Sequence, residues 1–483
     1  MKLRDYVSFD ALGLAELVAK REVSADEVVN ASHRAVERVN SAINAVVETW
    51  ADETPASLRD QKSGEHFAGV PFLVKDLGIT RAGRPSELGS RLAKGLVAAS
   101  DSTLMSRFLN AGLVPIGRTT TPEFAISSTT EGAATGVTRN PWALDRSAGG
   151  SSGGSGAAVA AGIVPFAHAT DGGGSIRVPA SVNGLFGLKP TRGRVSNGPA
   201  VDEVWSGLAV QLGVSRTVRD SAALLDAVQG GGVGEPYYTA APQASFLSKV
   251  EQDPARLKIG FMPNPLNGVR TSAPVAAALG AVAQLCDQLG HAVEDVTLDI
   301  GVSWEAFVFA NTQLFTVNTT AWIDAISAAM GRGATADYLE PATMAVYTYG
   351  RKVSGLNLLG ALDVRNTVAR AIGTYFESFD ILLTPTLPQL PSLIGAFNQG
   401  QSDLDGPGWV DKVFSNSPFT AVANVSGIPA MSVPLSTDPV TGLPVGSQFF
   451  AGFGRDDLLF SLAGQLERAE PWINRRPTVW AGA

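Results

Sequence analysis

The sequence predicts an α/β fold, and three stretches carry that reading. The first is STLMSRFLNAGLVPIGRTTTPEF (102–124), a helix-periodic segment, a glycine stop and a β-branched run. The second is a β-α-β run: LKIGFMP (257–263), a helical pattern over 273–290, and HAVEDVTL (291–298). The third lies late in the chain, where two strands (424–435 and 442–452) lead into a helix over 456–469. Strands alternating with amphipathic helices bury their apolar faces by packing helices onto a sheet, which is the α/β solution.

The remaining elements follow in order. Residues 8–50 read as two helices. The second, ADEVVNASHRAVERVNSAINAVV, is opened by a capping box at Ser24-x-x-Glu27. Residues 51–65 read as a polar loop. FAGVPFLVKDLGIT (67–80) reads as a buried strand that contains one cation, Lys75. A lysine behind Val70, Pro71, Phe72, Leu73 and Val74 either reaches water at the strand end or is held neutral, and the local pattern favours the strand end. Residues 125–148 are loop-rich, and 206–230 give a strand and a helix. Residues 231–256 carry little periodicity, and the 257–298 run is a candidate subdomain. Residues 300–375 are mostly helical and rich in aromatic side chains; 379–391 is a buried strand entering a proline turn, and 392–412 an exposed loop. Loops around 125–148, 196–206 and 305–410 are expected at the mouth of a pocket.

Composition narrows the function. With 483 residues, 45% hydrophobic and 17% charged, the chain is globular. A net charge of −8 and the lack of any basic run argue against a nucleic-acid surface. A single cysteine, Cys286, excludes an internal disulfide, and four scattered histidines (33, 66, 168, 291) argue against structural zinc. No metal or other cofactor is expected. The sequence has no run of 18 apolar residues and no apolar core at its start, so the expectation is a cytoplasmic protein without a membrane span.

The chemistry concentrates in Gly149–Thr191, GGSSGGSGAAVAAGIVPFAHATDGGGSIRVPASVNGLFGLKPT. It holds neither G-x4-G-K-[ST] nor G-x-G-x-x-G, so a phosphate cradle is poorly supported. Gly150 to Gly154 match G-x-S-x-G around Ser152, but no strand precedes them and the last histidine is His291. A different pattern ends at Ser175. Consecutive glycines Gly172, Gly173 and Gly174 let backbone N–H groups converge on one point, with the Ser175 hydroxyl beside them. Such a serine needs a base, and the residues alone leave two: His168, seven positions back, or Lys75.

The strings KD (75–76), GGSSGGS (149–155), TDGGGSIR (170–177) and GLKPTRGR (187–194) resemble the amidase signature family. INAVV (43–47), NPW (140–142), NVSGIPAMSVPL (424–435) and GLPVGSQ (442–448) extend the resemblance over nearly the whole chain. It implies one domain over 1–483, with a mixed twisted sheet covered by helices on both sides. Its parts would be N-terminal helices (1–66), a catalytic core (67–230), a pocket region (231–410) and returning strands and helix (411–483). It further implies Ser175 as nucleophile, Ser151 on a cis peptide as proton bridge, Lys75 as base, and an oxyanion hole from the N–H groups of Gly172, Gly173, Gly174 and Ser175. Beside these, Ser152 and Ser155 are expected to order the loop by hydrogen bonds rather than react, Thr170 is a candidate donor behind the reacting groups, and Asp171 and Arg177, which flank the nucleophile loop, are expected to pair and hold it. The family usually carries a larger residue at the position of Gly172, so three glycines are expected to loosen this loop.

Ile126, Ser127, Ser128 and Phe449 are the candidate pocket residues. The layout looks closest to bacterial amidases acting on nylon oligomers, aryl amides or carbamates. The expected substrate is a small apolar or aromatic amide, anilide, ester or carbamate, taken by a monomer or homo-oligomer. Three alternatives stand beside it: a glutamine-dependent amidotransferase subunit, a serine esterase using Ser152 and a histidine, and a binding protein on the same scaffold.

Overall fold

Eleven strands among the described residues join in one mixed sheet. The structure, a computed structural model, describes residues 1–53, 65–201 and 203–483. In chain order the strands are β1 (Val46–Thr49), β2 (Pro71–Lys75), β3 (Val114–Thr119), β4 (Phe166–Asp171), β5 (Phe186–Lys189) and β6 (Val210–Ser215), then β7 (Lys258–Phe261), β8 (Ala292–Asp295), β9 (Ile381–Pro385), β10 (Ala430–Thr437) and β11 (Pro444–Ala451). Across the sheet they run β1-β3-β2-β4-β6-β5-β10-β11-β9-β7-β8. β2 is parallel to β3 and β4, β7 is parallel to β8 and β9, and the other neighbours are antiparallel.

Successive residues of a strand point to opposite faces, and the sheet sorts them into two cores. Leu383, Met431 and Phe449 enter one core, with the Gly153–Ala160, Val218–Val228 and Asp456–Ala469 helices. Leu382, Ala430 and Phe450 enter the other, with the long Trp304–Met330 helix and the Pro341–Gly350, Gly355–Tyr375 and Gly406–Asn416 helices. Helices thus cover both faces, as expected.

Several elements differ from the sequence reading. The helix expected to run through 47 stops at Ile43, because Asn44 takes a left-handed backbone (φ 47°) and its amide donates to the Thr135 and Val137 carbonyls. The chain then turns back as edge strand β1. The 257–298 run is not a subdomain: β7 and β8 extend the same sheet beyond β9. Within 392–412 the chain is a helix from Gly406, where Asp405 caps the Gly408 N–H and Trp409 is buried. Residues 424–426 end a helix, Ala421–Ser426, stopped by Gly427 (φ 82°), and β10 begins only at Ala430. Of the loop expected over 51–65, residues 54–64 lie outside the described residues.

Candidate active site

Lys75 is the last residue of β2 and is wholly buried, not at the water's edge. The strand end is roofed by the Ser151–Ser152 turn and by Thr170 of β4, so the ammonium stem meets protein where the local pattern expected solvent. Three hydroxyls surround Nζ: Ser151 Oγ at 2.7 Å, Thr170 Oγ1 at 2.8 Å and Ser152 Oγ at 3.0 Å. A neutral amine has two N–H donors and one lone pair, which matches two accepting hydroxyls and one that donates. Ser152 is an acceptor, since its own O–H faces the Thr170 carbonyl at 3.4 Å. Burial depresses the Lys75 amine to about 7, against an opposing pull from Asp171.

The Gly150–Ser151 peptide is cis. Ser152 then leads into the Gly153–Ala160 helix, buried along its whole length. Glycine is required at its start: a Cβ on Gly154 would sit 2.3 Å from Thr120 Oγ1. Ser155 donates to the His168 carbonyl and shares a hydrogen bond with Thr119 Oγ1, which ties the helix to β3 and β4.

The Ser175 loop leaves the end of β4. Asp171, its last residue, receives the Gly174 N–H at 2.7 Å and the Ile176 N–H at 3.3 Å. Arg177 closes a bidentate pair on the same carboxylate, Nε to Oδ2 and Nη2 to Oδ1, both at 2.9 Å, with both side chains buried. Burial alone would raise the Asp171 carboxyl, but Arg177 beside it outweighs that and holds it below its usual range. Arg177 also donates to the Thr420 carbonyl, Gln448 Oε1 and Asn424 Oδ1, at 2.7–2.8 Å. The Asn424 amide returns to the Asp171 carbonyl at 2.9 Å.

Two expectations for the loop change. The Gly174 N–H is committed to Asp171, so it braces the loop and is not a free oxyanion donor; Gly172, Gly173 and Ser175 remain as candidates. The loop is also not loosened by its glycines. A Cβ on Gly172 would lie 2.6 Å from Trp205 Cε3, so the indole fills the space a side chain would take. On Gly174 (φ 138°) a Cβ would meet Thr420 Oγ1 at 2.6 Å.

Ser175 is half-buried and opens on a cavity of about 520 Å³, whose wall also includes Ser151, Thr170, Gly172 and Trp205. Its far walls are largely apolar, with Leu77, Leu88, Trp322 and Ile326. Ile126, Ser127 and Ser128 line an adjoining space on the other side of Ser175. Phe449 lines neither. It points into the core on the opposite face of the sheet, because its neighbour Phe450 takes the pocket-side face.

His168 is no partner for Ser152. Its Nε2 is hydrogen-bonded to Gln211 Oε1 at 3.0 Å, and burial pushes its imidazole down to about 3. Among the described residues no cluster of His, Cys, Asp and Glu could hold a metal, and no helix is long and apolar enough to cross a membrane.

Sequence reasoning missed Thr420, Asn424, Gln448 and Trp205. Asn424 and Gln448 sat in plain view in NVSGIPAMSVPL and GLPVGSQ, strings that carry the family resemblance. Trp205 had no local signal.

Comparison with known proteins bears on the family and the fold. The Amidase family model matches residues 27–460. The 6-aminohexanoate-cyclic-dimer hydrolase of Paenarthrobacter ureafaciens is 36% identical over 480 residues, covering 97% of this chain and 96% of that protein. A solved structure of 6-aminohexanoate cyclic dimer hydrolase superposes with a TM-score of 0.92 at 36% identity, covering 98% of this chain and 99% of the other. A bacterial aryl acylamidase superposes with a TM-score of 0.85 at 29% identity, covering 96% of both chains. With that match over most of its length, on a single α/β domain of the same architecture, the chain belongs to the amidase signature family of amide hydrolases.

Proposed function

We propose that the protein hydrolyses the C–N bond of apolar or aromatic amides, anilides or carbamates through an acyl-enzyme on Ser175. The observation that carries the reading is a wholly buried lysine, depressed to about 7, 2.7 Å from a serine that shares the cavity wall with Ser175. Neutral Lys75 takes the Ser151 proton while Ser151 Oγ takes that of Ser175. Ser175 Oγ attacks the carbonyl carbon, and the oxyanion is met by N–H groups from Gly172, Gly173 and Ser175. The C–N bond breaks as the proton returns from Lys75 through Ser151 to the leaving nitrogen. Water then attacks the acyl-enzyme by the same relay, freeing the acid and restoring Ser175. Ester cleavage needs the same steps with an easier leaving group. Ser152 and Thr170 hold the Lys75 amine, and the Asp171–Arg177 pair holds the nucleophile loop.

The test is intact mass after a fluorophosphonate probe, run beside turnover of a panel of amides, anilides, carbamates and esters. One probe adduct on the wild type, lost in Ser175→Ala and greatly slowed in Ser151→Ala and Lys75→Ala, is the expected outcome. Equal labelling of wild type and Ser175→Ala refutes the mechanism. Turnover by the purified chain alone separates this reading from that of an amidotransferase subunit, which depends on a partner.

A further inference from the structure

Ser175 stands where two spaces of very different size meet. The large one, about 520 Å³, includes Ser151 and Thr170 in its wall. The small one, about 30 Å³, includes Gly150, Gly173, Gly174 and Phe315, but not Ser151. Trp205, Gly172, Ala125 and Ser175 border both. The indole is therefore the partition, and the missing side chain at Gly172 is what admits it, its ring edge lying where a Cβ would be.

The partition is fixed in place. Trp205 and Ser206 both take left-handed backbone (φ 51° and 52°), a conformation bulky residues rarely adopt unless their surroundings hold it. Asn318 Nδ2 donates to Ser206 Oγ at 2.8 Å, and the Arg365 guanidinium donates to the Ser206 carbonyl. The ring itself packs against Phe315, centroids 4.6 Å apart.

The proton relay decides which part of the substrate lies on which side. This step rests on the Ser175–Ser151–Lys75 reading given above. The leaving nitrogen receives its proton from Ser151, so the amine portion lies in the large cavity. Gly173 borders only the small space, which marks that side for the carbonyl oxygen and the acyl substituent. A volume of about 30 Å³ accepts roughly two water-sized groups.

We propose that Trp205 sets acyl-chain length, and that the substrates are amides of short acids (formyl, acetyl or propionyl) on a large apolar or aromatic amine. The chemistry is unchanged: the acyl group passes from the amine nitrogen to Ser175 Oγ and then to water.

The experiment holds the leaving group constant. 4-Nitroanilides of acetic, propionic, butyric, hexanoic and octanoic acid are compared by kcat/KM in wild type, Trp205→Phe and Trp205→Ala, and each variant is titrated with the fluorophosphonate probe. In the wild type, kcat/KM should fall by about tenfold or more between propionyl and hexanoyl, the scale on which a pocket rejects surplus methylenes. Trp205→Ala should flatten or invert that profile, with Trp205→Phe between them. A wild-type profile that is flat or rises with chain length overturns the proposal. So does a Trp205→Ala variant that lowers every chain length by one common factor, the signature of a merely structural tryptophan. If Trp205→Ala does not fold, the wild-type and Trp205→Phe profiles decide. Failure of the underlying reading looks different: the probe labels Ser175→Ala as well as wild type. If Ser175 is labelled yet no anilide turns over, the small-acyl assignment falls alone.

Discussion

At the scale of the residue, the proposed mechanism turns on keeping one amine neutral, so that its lone pair is free. A lysine in water is charged at any ordinary pH, with a pKa of about 10.4. Burial brings Lys75 to about 7. Below that value the amine is protonated and has no lone pair for the Ser151 proton; above it the lone pair is free. The rate profile should therefore rise with pH through about 7 and level off above it. A kcat/KM titration from pH 5 to 9 checks this, and a flat profile contradicts it. The strand pattern of 70–75 showed that a lysine sits at the end of an apolar run, but not its chemistry. What roofs that end comes from residues 151, 152 and 170, which no local window contains. Phe449 shows the same limit. Adjacent phenylalanines in a strand occupy opposite faces, but which face holds the pocket is not written in the strand. Phe449→Ala should cost about 3–5 kcal/mol of unfolding free energy, as a core truncation does, and leave KM for small anilides unchanged. Denaturant unfolding and steady-state kinetics on the same variant separate the two effects.

At the scale of the element, the loop around Ser175 is braced by a buried ion pair built into it. Asp171 takes two backbone N–H groups and the Arg177 fork, so the turn from β4 to the helix at Arg177 is braced from within. Removing one partner leaves the other charged and buried. Arg177→Met should lose about 3–5 kcal/mol of stability, measured by urea unfolding, and turnover should fall with it as the loop loosens. The pairing of Asp171 and Arg177 was legible from their places on either side of Ser175. Their outer partners were not, since Thr420, Asn424 and Gln448 are brought there by strand order. The glycines were legible as a group but not one by one. Gly154 serves close packing, Gly172 serves Trp205, and Gly174 serves the Asp171 turn. The end of the helix at Ile43 was missed for a like reason: Asn44 stops it by bonding to carbonyls some ninety residues away.

At the scale of the whole molecule, the site forms because β2 and β4 are parallel neighbours. Lys75 and Asp171 end those two strands at the same edge of the sheet, where loops leave for the pocket. That edge is where open α/β sheets place their ligands. The alternation of strands and helices was enough to give the fold class. Strand order was not, because six of the ten neighbour pairs in the sheet join strands that are not consecutive in sequence. The candidate subdomain at 257–298 was lost for this reason: its strands look self-contained in sequence, but β9, some ninety residues later, joins them to the rest.

The brace on Arg177 also sets when the loop around Ser175 can take its final form. Its outer partners Thr420, Asn424 and Gln448 lie 243, 247 and 271 positions further along the chain. A nascent polypeptide emerges from the ribosome N-terminus first, at roughly 5–20 residues per second. By the time Lys75, Ser151 and Ser175 are outside, the clasp for the Ser175 loop has not been synthesised. The loop around Ser175 is thus completed late in biosynthesis, and a chain abandoned before about residue 420 carries Lys75, Ser151 and Ser175 without the residues that brace Arg177.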